Sequence, residues 1–571
     1  MTRSPDDLLT PFEKGNGNQT CNYQECISFY EMLDSINDRA KLINCGTTSA
    51  GKSVHLFVIS SDQNFEPHKI HDQGKCVLLI NNGIHPGEPD GIDASMMLAR
   101  DLLTKRKLTS LLDHVVVCII PVYNVAGMLS RNSTSRVNQN GPEQYGFRAT
   151  AQNYDLNRDF VKCDAPESQA FTNIFQTWKP EIFIDTHVSN GADYQYTMTL
   201  ISTQKDKLHA ILSAYQQKTF LPDLFMAMKN NEFEMTPYVN PANEIPDSGI
   251  TGFLETPRFS TGYTTLFNCI GMMPETHMLK PYKQRVLSTY AFEKEVLTIT
   301  NRDAEIIRRN KLAADEAISK QSSFPLDWKL DEGNSDLIPF KGFEAKYKRS
   351  EVSGSMRLWY DRSEPFEKQI KFFNNYHSSV TIVKPFAYIV PQGWGPVIDR
   401  LKRNNVLMKR LSTDTSLRAE VYFIDDYKSS PNAYEGHHVN SEVRLHSEKQ
   451  MVQFFTGDYV IFPDQSCNRY IVEMLEPEAP DSYFAWNFFD PILMEKEYFS
   501  DYVFEDLAAE LMNTDAALKK LFDEKKISDP ELAKNPQAQL HFIYQHSKYF
   551  EKSYRRYPVV RLHEKMNLPL E

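Results

Sequence analysis

Three groups of residues in this chain have types and spacing suited to joint chemistry. The segment INNGIHPGEPDG sets His85 and Glu88 three positions apart, with Pro86 and Gly87 shaping a turn between them. An imidazole and a carboxylate at that spacing can grip one metal ion from two sides, and zinc then needs a third protein ligand and an open position. His187, ending the apolar run EIFIDTH, is a candidate for that third ligand. Between them lies FRATAQNYDLNRDF, which puts Arg148, Asp155, Asn157 and Arg158 in a loop-like stretch. Planar guanidinium groups dock carboxylates in a two-pronged geometry, so two arginines and an amide suit a carboxylate ligand.

These side chains act together only if the fold brings them to one place. From about residue 20 to 320, strand-like and helix-like segments alternate, which predicts an α/β layered domain. Strands are expected at 54–60, 77–81, 115–122, 181–187 and 194–201, and helices at 91–107 and 167–178, with a long amphipathic segment over 282–319. His85 and Glu88 then sit just past a strand end and before a helix, facing the crevice where α/β sheets bind ligands. The polar stretch 319–336 reads as a boundary. It separates a catalytic region, 20–320, from a mixed accessory domain, 337–500, and a helical C-terminal segment, 501–571.

Other features point away from other chemistries. The octapeptide GTTSAGKS at 46–53 fits a phosphate-binding loop, but Lys52 and Ser53 run straight into the strand VHLFVIS instead of a helix, so a turn between strands is expected. The 63 basic against 75 acidic residues give a net charge of −12, which disfavours nucleic acid and anionic membrane surfaces as partners. No run approaches the roughly 18 to 20 apolar residues of a membrane span. The first twenty residues lack the apolar core of an export signal, so a cytoplasmic location is the default, or a periplasmic or secreted one had a leader been removed. The eight cysteines are scattered and read as buried free thiols, with Cys21 and Cys26 a weak zinc pair. His437, His438 and His446 cluster in sequence, but adjacent residues on a strand face opposite ways and so rarely share one ion.

Four motifs in register carry a resemblance. HPGE at 85–88, DLNRD at 155–159, DTH ending at His187 and MPETH containing Glu275 resemble, in order and approximate spacing, the zinc metallocarboxypeptidases of family M14. The resemblance covers roughly residues 20–310 and implies a mixed, mainly parallel sheet flanked by helices. It implies one zinc per chain on His85, Glu88 and His187, with Glu275 as general base and acid. It gives Asn157 and Arg158 the substrate's terminal carboxylate, Arg148 the scissile carbonyl, and Asp155 the orientation of the first zinc histidine. Arg136 competes with Arg148 for its role, and Glu255 with Glu275. Tyr263 is the candidate for the family's mobile tyrosine, against a plain packing role. The implied activity is release of a C-terminal residue from peptides or proteins. An amidase on peptidoglycan stem peptides or another carboxylate-bearing amide, and a catalytically silent binding protein of the same fold, are the alternatives. Asp159 and Val188 depart from the Asn and Ser that many relatives carry. The C-terminal region resembles accessory segments of some large bacterial members.

Overall fold

The computed structural model describes residues 8–571, so the first seven residues, part of the segment read for an export signal, lie outside the described residues. The first strands follow from the β-branched runs. β1 (Ala40–Thr47) and β2 (Ser53–Ile59) form an antiparallel hairpin. Its turn is the would-be phosphate loop, closed by a hydrogen bond of 2.7 Å from the Thr48 N–H to the Lys52 carbonyl. β3 (Cys76–Asn81) and β4 (Val115–Ile120) are buried at every position, as near-continuous apolar runs in the middle of a parallel sheet should be. β5 (Ile182–Asp185), β6 (His187–Ser189), β7 (Met198–Ser202) and β8 (Met235–Pro237) follow, then the two-residue β9 (Ile250–Thr251) and β10 (Ile270–His277).

The central sheet runs β1-β2-β4-β3-β5-β10-β7-β8, with β6 beside β10. β3 is parallel to β4 and β5, and β10 to β5 and β6, while β7 runs antiparallel to β10. This is the expected mixed, mainly parallel sheet. Helices Asp90–Thr104 and Tyr282–Arg302 pack on one another, and the second gives way at Asp303 to helix Ala304–Lys320. The expected segment 282–319 is therefore two helices. Helix Pro166–Trp178 buries Phe171, Phe175 and Trp178 in a core shared with Val77, Leu79 and Cys118 of the sheet.

The polar stretch at 319–336 holds a strand, β11 (Ser323–Leu330), antiparallel to β14 (Tyr376–Val383). Between them lies a long hairpin of β12 (Asp336–Arg349) and β13 (Met356–Phe373), whose end pairs with β9. A second sheet contains β15 (Ala387–Val390), β16 (Lys409–Arg410), the long hairpin β17 (Thr415–Ser429) and β18 (Asn440–Phe454), and β19 (Tyr459–Ile461). The helical expectation for the C-terminal segment holds from Asp501 to Gln545, through four helices. Beyond them, β20 (Val560–Leu562) enters the second sheet between β15 and β17. One apolar cluster joins Phe171, Phe175 and Tyr263 to Tyr388, Leu401, Tyr470 and Tyr483 of the C-terminal half. Among the described residues no helix is long and apolar enough to cross a membrane, and all eight cysteines are free thiols.

Candidate active site

His85 and Glu88 lie in the turn that leaves β3, where the Glu88 N–H closes on the His85 carbonyl at 2.8 Å. Gly87 admits the Arg136 side chain, since a Cβ there would sit 2.8 Å from Arg136 Cδ. His187 opens β6 directly beside Glu275 on β10, so strand pairing sets those two side by side. Nδ1 of His85 lies 3.5 Å from Glu88 Oε1, and Nδ1 of His187 lies 3.5 Å from Oε2. One ligand atom from each of the three residues falls within 4.8 Å of the others, and all three residues are buried. The remaining ring nitrogens are spoken for: His85 Nε2 meets Asp155 Oδ1 at 2.8 Å, and His187 Nε2 meets Asp185 Oδ2 at 2.9 Å. Carboxylates on the outer nitrogens fix each ring so that Nδ1 faces inward. His85 Nδ1 is buried with no hydrogen-bond partner, which is costly unless something else occupies it. A metal ion fits that orphaned atom and this donor set.

Burial alone would raise the Glu88 carboxyl, but Arg136 and His85 outweigh it and hold it well below the usual carboxylate range. Burial would likewise lower His187, yet Asp185 keeps it well above the ordinary imidazole value. Glu275 has less help, and burial pushes its carboxyl up to about 8 against the pull of His187. Its Oε2 is buried without a partner. These groups line a cleft of about 270 Å³ together with Arg148, Asn157, Arg158, Tyr238 and Phe253. Arg148 donates from Nε to Asp155 Oδ2 at 2.9 Å, and its side chain is 43% exposed. Arg136 is 15% exposed and spends its guanidinium on Glu88, at 2.6 Å, and on the Val188 carbonyl. Arg158 lies over the Phe259 ring at 4.5 Å and forms no ion pair with any described residue.

Residues 28–219 match the family Peptidase_M14, described as zinc carboxypeptidase. This part of the chain is similar to the M14 zinc carboxypeptidases. Carboxypeptidase 2 of Trichophyton equinum is 19% identical over 464 residues, covering 76% of this chain and 77% of the relative. Carboxypeptidase 2 of Trichophyton rubrum is 21% identical over 441 residues, covering 72% and 73%. Among solved structures, a metallo-carboxypeptidase from Burkholderia cenocepacia aligns over 49% of this chain and 69% of its own, at 16% identity and a TM-score of 0.37. The carboxypeptidase A from Helicoverpa armigera aligns over 50% and 74%, at 14% identity and a TM-score of 0.37.

The fold gathers His85, Glu88, His187, Glu275, Arg148, Asn157 and Arg158 at one cleft, with Asp155 behind His85. It does not bring Tyr263 there. That tyrosine is fully buried among Phe160, Phe175 and Phe267, and its hydroxyl donates to Asn404 at 2.8 Å. It is a packing residue, because helix Ser260–Thr265 turns it into the core. Glu255 does line the cleft, but its Oε2 is held by the Thr261 N–H at 2.9 Å and the Thr261 hydroxyl at 2.5 Å. The three late histidines have separate partners: Asp164 for His437, the Ser430 carbonyl for His438 and Asp425 for His446. Sequence reasoning missed Asp185 and Tyr238. Asp185 had a signal, since residues two apart on an extended segment share a face, whereas Tyr238 in a Pro-flanked loop had none.

Proposed function

We propose that the protein is a zinc-dependent carboxypeptidase that hydrolyses the C-terminal peptide bond of peptides or proteins. The observation that carries this reading is the convergence of His85, Glu88 and His187 around an unpartnered buried Nδ1, with Glu275 beside them. These three residues would hold the metal. Zinc bound there would lower the pKa of water to about 7 and polarise the scissile carbonyl.

Glu275 Oε2 accepts a proton from the attacking water and hands it to the leaving nitrogen. Its desolvated setting suits a group that must both take and return a proton. Arg148, the more exposed arginine, faces the charge that develops on the carbonyl oxygen. Arg158 and Asn157 grip the terminal carboxylate, which limits cleavage to the last residue and holds the bond in place for attack.

The test is metal analysis coupled to release of C-terminal residues from a peptide library, comparing wild type with Glu275→Gln. One zinc per chain is expected in both, with the rate of the variant down by roughly 10² to 10⁴, the usual share of a general acid and base. Full activity in Glu275→Gln would move the base to Glu255. A protein without zinc that gains nothing from added zinc would remove the proposal altogether.

A further inference from the structure

The turn that joins β17 to β18 belongs to the C-terminal half of the chain, yet it ends against the loop carrying Asp155, Asn157 and Arg158. Glu435 Oε2 accepts a hydrogen bond of 2.8 Å from the Asp155 backbone N–H, between residues 280 positions apart. The contact is braced on both sides. Glu435 and Gly436 both take left-handed backbone angles, φ 51° and 83°, and Gly436 lies so close to Tyr154 that a Cβ would come within 3.1 Å of the ring. His437 then meets Asp164 Oδ2 at 2.8 Å, while Arg400 donates to Asp164 Oδ1 at 2.8 Å.

Every polar group of Asp155 that faces this contact has a defined task. Its N–H goes to Glu435, Oδ1 takes His85 and the Asn157 N–H, and Oδ2 takes Arg148. A carboxylate can orient an imidazole only as well as its own backbone is held, and the surrounding chain, Tyr154 to Arg158, is loop and a single 3₁₀ turn. Without Glu435 the half-buried Asp155 N–H would lose its acceptor.

We propose that Glu435 is a positioning residue of the hydrolytic site. By anchoring the Asp155 backbone it fixes the carboxylate that orients His85, and with it the Asn157–Arg158 pair that follows. The accessory sheet therefore completes the active site. The catalytic consequence rests on the carboxypeptidase reading, whereas the tether is a property of the fold.

The experiment uses the full chain as wild type, Glu435→Ala and Glu435→Gln. Three quantities are read: amide exchange over 154–158 in the metal-free protein, zinc affinity by competition with a chromophoric chelator, and kcat and KM on a peptide with a free C-terminus. Glu435→Ala is expected to speed exchange at Asp155, to weaken zinc by about tenfold, the usual cost of loosening a ligand's support, and to raise KM. Glu435→Gln keeps an acceptor oxygen and should stay within about threefold of wild type on zinc. Should Glu435→Ala not fold, Glu435→Met fills the same space without an acceptor and takes its place. Exchange rates and zinc affinity equal to wild type in a folded variant lacking the acceptor would overturn the assignment. A wild type that binds no zinc would instead overturn the carboxypeptidase reading, so the two failures are distinguishable.

Discussion

Arg136 and Arg148 stand on the same cleft and differ in what they touch. Arg136 neutralises the buried Glu88, while Arg148 is nearly half exposed and shared with Asp155. Replacing one partner of a buried ion pair strands the other, at roughly 3 kcal/mol or more. Arg136→Met is therefore expected to lower the thermal stability of the metal-free protein, and added zinc should recover more stability than in wild type. Arg148→Ala should leave the unfolding temperature almost unchanged and lower kcat by about 10² to 10³, the cost of one donor to a developing oxyanion. Calorimetry with and without zinc, beside steady-state rates, separates the two. The sequence favoured Arg148 and kept Arg136 as its competitor, because the loop between residues 131 and 155 has no period that says which guanidinium turns inward.

Among the elements, the loop 154–164 is the least regular part of the site and the most heavily braced. Burial would raise Asp164, but His437, Lys162 and Arg400 outweigh it and hold the carboxyl at about 2. The unfolded value is about 3.9, so this group adds stability that is fully present above about pH 4 and is lost as pH falls toward 2, by about 2 kcal/mol. Asp164→Asn should be less stable than wild type at pH 7, and the difference should shrink steadily in denaturant titrations taken from pH 4 down to pH 2. A difference that stays constant through that window would contradict the assignment. Other elements were plain in the sequence. β4 is apolar throughout and β3 up to its terminal Asn81, so both their existence and their central place follow from composition. β10 was not legible, since IGMMPETH has a proline at its centre, which argues against a central strand. The hairpins β12/β13 and β17/β18 were also obscure, because much of each is exposed on both faces and shows little alternation.

At the scale of the molecule, one apolar cluster crosses from helix Pro166–Trp178 to helix Asn468–Leu475, and the rings of Phe267 and Tyr470 sit 5.5 Å apart within it. Arg258, next in sequence to Phe259 of the cleft lining, is paired with Asp481 at 2.7 Å and lies over Trp486 at 4.8 Å. A chain cut after residue 320 would leave this surface bare, so that fragment should bind a hydrophobic dye and lack near-ultraviolet dichroism, while the full chain unfolds in one calorimetric transition. Two resolved transitions in the full chain would show that the halves are stable separately. The net charge of −12 describes the surface as a whole, whereas Arg148 and Arg158 set two cations locally at the cleft. Sequence by itself determined the candidate ligand set, the order of the motifs and the α/β region, because turn chemistry and apolar runs are local properties written in neighbouring residues. Tertiary structure alone decided that Tyr263 packs inside, that Arg136 serves Glu88, and that Glu435 holds Asp155. Each of these depends on a contact between segments far apart in the chain, and no local pattern encodes which distant segment will arrive.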